Sequence, residues 1–124
     1  MDSAEGLRER TKQFSLRIIR LFRHIPWQHD GHVIAKQLLR SGTSIGANYR
    51  AACRARSRNE FYAKLCIVVE EADETVYWLE LLSEGEVVRS DRLDGLLREA
   101  KELAAIFTAS KAEMAEELGA PSLR

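Results

Sequence analysis

SRNEFYAKLCIVVEEADETVYWLELLS, residues 57–83, decides the fold. It opens on a capping box: the Ser57 hydroxyl can accept the amide of Glu60 while the Glu60 carboxylate reaches back to the cap amide. Phe61, Leu65, Val68, Ala72, Val76 and Leu79 then recur at the spacing of one helical face. No proline or glycine interrupts them before Gly85, which stands at the position where glycine commonly follows a helix. The stretch therefore reads as a long helix over residues 58–83 with one core-facing stripe.

Working backwards, the capping serine forces an earlier helix to stop near Arg56. That helix spans about residues 30–56, with Asp30 as N-cap and Ile34, Leu38, Ile45, Tyr49 and Ala52 on its inner face. Its middle, Ser41-Gly42-Thr43-Ser44-Ile45-Gly46, is made of poor helix formers. Each glycine costs about 1 kcal/mol relative to alanine. Gly42 and Gly46 lie four apart on one face, so close approach of a neighbouring helix is the expected compensation. Asn48 follows as a polar residue either fixing register or exposed. A first helix, about residues 5–24, carries Phe14, Ile18, Leu21 and Ile25 and ends before Pro26, because the residue preceding proline resists the α conformation. Beyond residue 83, Ser90 or Asp91 can cap a fourth helix over about residues 91–118. Leu93, Leu96, Leu97, Ala100, Leu103, Ala104, Phe107 and Met114 form its stripe, and Gly119 and Pro121 stop it.

The fold class is thus all-α. Four helices on short connections run antiparallel to their neighbours, which gives an up-down-up-down four-helix bundle in one domain, residues 1–124. The composition agrees: 45% apolar, with two prolines, and long enough to bury a core without disulfides. Cys53 and Cys66 form no CxxC pair and read as thiols of a reducing compartment. Neither a leader-like apolar run nor a membrane-spanning stretch is seen, so a cytoplasmic protein is expected.

Two features exceed the needs of one bundle. Ile19 and Phe22 on the first helix, and Tyr62, Val69, Tyr77 and Trp78 on the third, broaden the apolar stripes; these six are the candidate subunit interface. Charge is also divided. Residues 1–64 hold 13 basic and 5 acidic side chains, whereas the rest holds 6 basic and 14 acidic ones, so a net charge of zero conceals a surplus of eight on each side. A two-fold contact would bring like patches together. A head-to-tail contact sets basic on acidic, and such contacts close into a ring when the rotation allows.

Chemistry is poorly represented. A carboxylate-bridged metal site in a helical bundle needs Glu-x-x-His pairs. None of His24, His29 and His32 has a glutamate three residues before it, so Glu70, Glu71, Asp73, Glu74, Glu99 and Glu102 read as a solvated face or as ion-pair partners. The glycine-serine run lacks the lysine of a phosphate loop and follows no strand. No nucleophile–base pair stands out, and no catalytic residue, cofactor or metal is expected. The basic residues remain. Arg50, Arg54, Arg56 and Arg58 crowd the turn between the second and third helices, and Lys64 follows. Arg8, Arg10 and Lys12 start the first helix at the same end. Together these eight form a candidate site for nucleic-acid phosphates. The alternative reading of equal weight spends them on the helix dipole or on Glu113, Glu116 and Glu117. No aromatic residue interleaves with them, so contact should be with the backbone and salt-sensitive.

The run Gln37-Leu38-Leu39-Arg40-Ser41-Gly42-Thr43-Ser44-Ile45-Gly46-Ala47-Asn48-Tyr49-Arg50-Ala51 resembles the signature of the four-helix bundle proteins encoded within intervening sequences of bacterial 23S rRNA. So do Arg56-Ser57-Arg58-Asn59-Glu60-Phe61 and Glu71-Ala72-Asp73-Glu74-Thr75-Val76-Tyr77-Trp78-Leu79-Glu80-Leu81-Leu82. The resemblance covers about residues 14–115. Many relatives have proline where Gly46 stands, so the second helix should be less kinked here. The family is similar to the accessory variability protein of diversity-generating retroelements, a pentameric barrel that binds nucleic acid and assists a reverse transcriptase. The resemblance thus implies a homopentamer, with RNA, DNA or a nucleoprotein enzyme as partner, and it supplies no catalytic residue.

Overall fold

The computed structural model describes residues 3–119. Among them are four helices and no strand: α1 Ala4–Arg23, α2 His32–Cys53, α3 Arg58–Glu84 and α4 Ser90–Leu118. None is long and apolar enough to cross a membrane. Consecutive helices pack side by side and α1 also meets α4. The direction of each pair can be read from its contacts. Gly42 of α2 faces Ile18 and Gly46 faces Thr11, so α2 descends as α1 climbs. Arg10 reaches Glu99 and Glu102 of α4, whereas Arg17 lies against Gly95, so α1 and α4 are antiparallel as well.

The core lies where the four stripes converge. Phe14 and Ile18, Leu38 and Ile45, Leu65, Val68, Ala72 and Leu79, and Leu93, Leu103 and Phe107 are all buried. Complete burial of one such leucine or phenylalanine contributes about 1.5–3 kcal/mol. Leu21, Ile34, Phe61, Val76, Leu97 and Ala104 are only partly buried and pack against this core from its margins. Tyr49 and Phe107 bring α2 and α4 together across it, with ring centroids 5.0 Å apart. Among the described residues, the buried hydroxyls of Thr11, Ser41 and Thr75 are each hydrogen-bonded. Thr11 donates to the Leu7 carbonyl at 2.8 Å. Ser41 and Thr75 meet at 3.0 Å between α2 and α3, and each also reaches a carbonyl of its own helix.

The small residues of α2 do what their spacing predicts. A Cβ at Gly42 would stand 3.0 Å from Ile18 Cγ1, and one at Gly46 would stand 3.2 Å from Thr11 Oγ1. The two glycines let α1 approach closely, which offsets their poor helix propensity. Asn48 is half-buried and bonds locally, its amide donating to the Ser44 carbonyl and hydroxyl at 2.9 and 2.8 Å.

Helix ends depart from expectation in five places. At α2 the N-cap is Gly31 without a side-chain cap, because Asp30 lies 3.0 Å from the His29 ring instead. Gly31 is buried, and Val87 from the α3–α4 connection fills the space where its side chain would be. At its other end α2 stops at Cys53, three residues early, and residues 54–57 make the turn. Half of the capping box forms: Ser57 Oγ accepts from the Glu60 amide at 3.0 Å, while the Glu60 carboxylate turns 3.6 Å from Arg56. At α4 the cap is Arg89, and Ser90 is the first helical residue. After α3 the left-handed position falls on Glu86 (φ 59°), not on Gly85. Gly119 closes α4 in the left-handed conformation, as expected; Pro121 lies outside the described residues.

Candidate functional site

The expected basic cluster divides. Arg8, Lys12, Arg50 and Arg54 converge on one open groove of about 890 Å³ between α1 and α2, shared with Glu5, Glu9, Ser15, Leu16, Gly46, Ala47 and Cys53. The helical repeat explains the convergence. Arg8 and Lys12 are one turn apart, as are Arg50 and Arg54, and antiparallel packing with Gly46 level with Thr11 brings the two pairs to the same end of the α1–α2 seam, staggered along it. None of the four forms an ion pair among the described residues. The acids at the end of α4 offered as their partners, Glu113, Glu116 and Glu117, are exposed and form no ion pair among the described residues either.

Arg10 is placed elsewhere. Two residues from Arg8, it projects toward α4 and grips Glu99 with two bonds of 2.7 Å and Glu102 at 2.8 Å. Those bonds hold its guanidinium well above its ordinary pKa, so it is a fixed structural cation. Arg56 and Arg58 are exposed at the α2–α3 connection, Arg56 beside Glu60, and Lys64 is half-buried on α3. None of these three lines the groove.

Tyr49 lies on the buried face of α2 and does not line the groove. Burial, with a bond to Cys53, pushes the Tyr49 phenol up to about 12, and Arg8 only partly offsets this. The phenol is therefore neutral throughout the physiological range. Among the described residues no cluster of His, Cys, Asp or Glu could hold a metal ion. Four of the acids considered for that role are ion-pair partners: Glu71 and Glu74 hold Arg40, and Glu99 and Glu102 hold Arg10.

The expected interface residues are unequal. Phe22, Val69 and Trp78 pack against the core; Phe22 lies 5.1 Å from the His32 ring, and the Trp78 indole donates to Glu74 at 2.8 Å. Ile19 and Tyr62 are half-buried, and Tyr77 is 52% exposed with its ring edge-on to Trp78. Ile67 on the same helix and the more exposed Trp27 and Val33 lie outside the six expected interface positions. Glu5 and Glu9, which line the groove, lie outside the eight expected site positions. Their signal was available, because both fall on the helical face of Arg8 and Lys12.

A family profile described as 23S rRNA-intervening sequence protein matches residues 7–109. The chain is also similar to a crystal structure of a protein of unknown function from the S23 ribosomal protein family of Bacteroides thetaiotaomicron. The two are 36% identical over 84% of this chain and 96% of that one, with a TM-score of 0.77. No curated protein matches. With a profile spanning most of the chain and a relative that shares both sequence and fold, the chain belongs to the 23S rRNA-intervening sequence protein family.

Proposed function

We propose that this is a non-enzymatic cytoplasmic protein that assembles head-to-tail into a closed ring and binds the backbone of RNA or DNA, free or within a nucleoprotein enzyme, through the α1–α2 groove. One observation carries the reading: four cations from two helices line one groove, and none is neutralised by an ion pair among the described residues. Cations spent on stability are paired, as Arg10 and Arg40 are. Cations left open concentrate positive potential where a polyanion can release its counterions. A ring of five copies, the number the family resemblance implies, would repeat the groove around its circumference and multiply the effect.

The test is a mobility-shift or anisotropy titration with labelled RNA and DNA across a salt series. Binding should weaken steeply with salt, and Arg50→Glu with Arg54→Glu should abolish it while far-UV circular dichroism stays unchanged. A purely structural bundle, with the arginines reserved for contacts between subunits, predicts no binding even at low salt and a loss of assembly in the same variant.

A further inference from the structure

We infer that the α1–α2 groove selects a single strand of nucleic acid and turns a duplex away, with Glu5 and Glu9 as the excluding residues. This rests on the backbone-binding reading above and adds to it the class of ligand.

Gly46 brings α2 against Thr11 of α1, with only 3.2 Å between a Cβ at this position and Thr11 Oγ1. The facing sides of the two helices are therefore in contact, and the groove is the shallow valley above that contact. Packed helix axes lie about 8–10 Å apart, which leaves width for one sugar–phosphate strand. The second strand of a duplex stands a further groove width away, about 12 Å in the major groove, and must rest outside the valley.

What it would meet there follows from the helical repeat. Each residue advances about 100° around a helix. Taking Thr11 as the direction toward α2, Ser15 lies about 40° outward, Arg8 about 60°, Lys12 about 100°, Glu5 about 120° and Glu9 about 160°. On α2, measured from Gly46, Arg50 lies about 40° outward, Arg54 about 80° and Ala47 about 100°. The cations thus flank the valley, and the α1 lip beyond them is acidic. Both glutamates are exposed, and Gln13 holds Glu9 at 2.7 Å. One phosphate strand in the valley meets positive charge on both walls. A duplex too wide to enter carries its second phosphate strand over two carboxylates, and like charges brought together oppose binding.

The same geometry accounts for spacing. Arg8 to Lys12 and Arg50 to Arg54 each advance about 6 Å along their helix, the scale of one step of an extended strand. Nothing aromatic lines the groove, so the site follows backbone and leaves bases unread.

The experiment compares oligo(U) and oligo(dT) with a mixed-sequence duplex, using the full chain and its Glu5→Gln/Glu9→Gln variant. Single strands should bind about tenfold or more tightly than the duplex. With four phosphate contacts per groove, the slope of log K against log salt for a single strand should be about −3. Neutralising the two glutamates should close most of the gap, chiefly by strengthening the duplex. Equal binding of strand and duplex by the unaltered protein overturns the inference while leaving backbone binding in place. A preference that survives Glu5→Gln/Glu9→Gln unchanged overturns the role of the acidic lip. Equal competition by polyglutamate, or no binding of any nucleic acid, overturns both the inference and the reading beneath it.

Discussion

Gly42 and Gly95 are both helical glycines, yet their surroundings ask opposite things of them. A Cβ at Gly42 meets the completely buried Ile18, which has no free direction to yield in. Gly95 is exposed, and its nearest neighbour is the mobile end of the Arg17 side chain at 3.3 Å. Gly42→Val should therefore destabilise the protein by about 2 kcal/mol through overpacking. Gly95→Ala should stabilise it by about 0.5–1 kcal/mol through reduced freedom of the unfolded chain. Denaturant unfolding of the two variants checks both signs at once, and a stabilised Gly42→Val would refute the close-packing account of α2. Glu74 supports a prediction in pH. The Trp78 indole N–H and then the Arg40 guanidinium hold its carboxyl below the ordinary value of 4.5. A carboxyl depressed in the folded state contributes stability that is complete above its unfolded value and is lost as pH falls through the folded one. Glu74→Gln should therefore be less stable than the parent at neutral pH, and the difference should shrink as pH is lowered below about 4.5. A difference that holds constant on acidification would show that the carboxylate charge contributes nothing.

At the scale of the helix, termini separate what spacing reveals from what it conceals. Ser57 was legible because a cap is a local device: one hydroxyl, one amide three residues on. Ser57→Ala should cost about 1 kcal/mol, measurable by thermal unfolding, and Ser3→Ala, which removes the equivalent 2.9 Å bond to Gly6 at the start of α1, should cost less because that end is exposed and makes few contacts. An unchanged midpoint in Ser57→Ala would mean that packing alone sets where α3 begins. Asp30 misled because its competitor is distant in sequence. Val87 closes over Gly31, which fixes the entry to α2 one residue later than the local signal. The same division applies to the candidate site. Periodicity alone separates Arg8 from Arg10 by about 200° around α1, and that separation is what sends one to the groove and the other to Glu99. Which of the remaining arginines stay unpaired depends on side chains from other helices, and nothing in the local sequence carries it.

For the whole molecule the decisive quantity is the separation of charge and apolar surface. The basic groove lies on α1 and α2, while α3 shows Tyr77 and Ile67 beside exposed Glu70 and Asp73. An acidic face with apolar anchors complements the basic stretch of α1 around Ile19, where Arg20 and Arg23 are exposed beyond the residues that line the groove, whereas copies of either face repel themselves. Such surfaces favour heterologous contact, and mixing can prove it. Ile67→Asp with Tyr77→Asp should disable the α3 face, and Ile19→Asp the α1 face, so that each variant alone runs as a monomer by light scattering. When the two are mixed, one intact α1 face meets one intact α3 face, and a head-to-tail mechanism yields a dimer that can grow no further. A two-fold contact of one face with itself would instead leave the variant that keeps this face a dimer before any mixing. Raising the salt should weaken the rescued dimer if charge guides the match. Recovery of nothing beyond monomer on mixing would sink the ring, and the groove would then act on single copies alone.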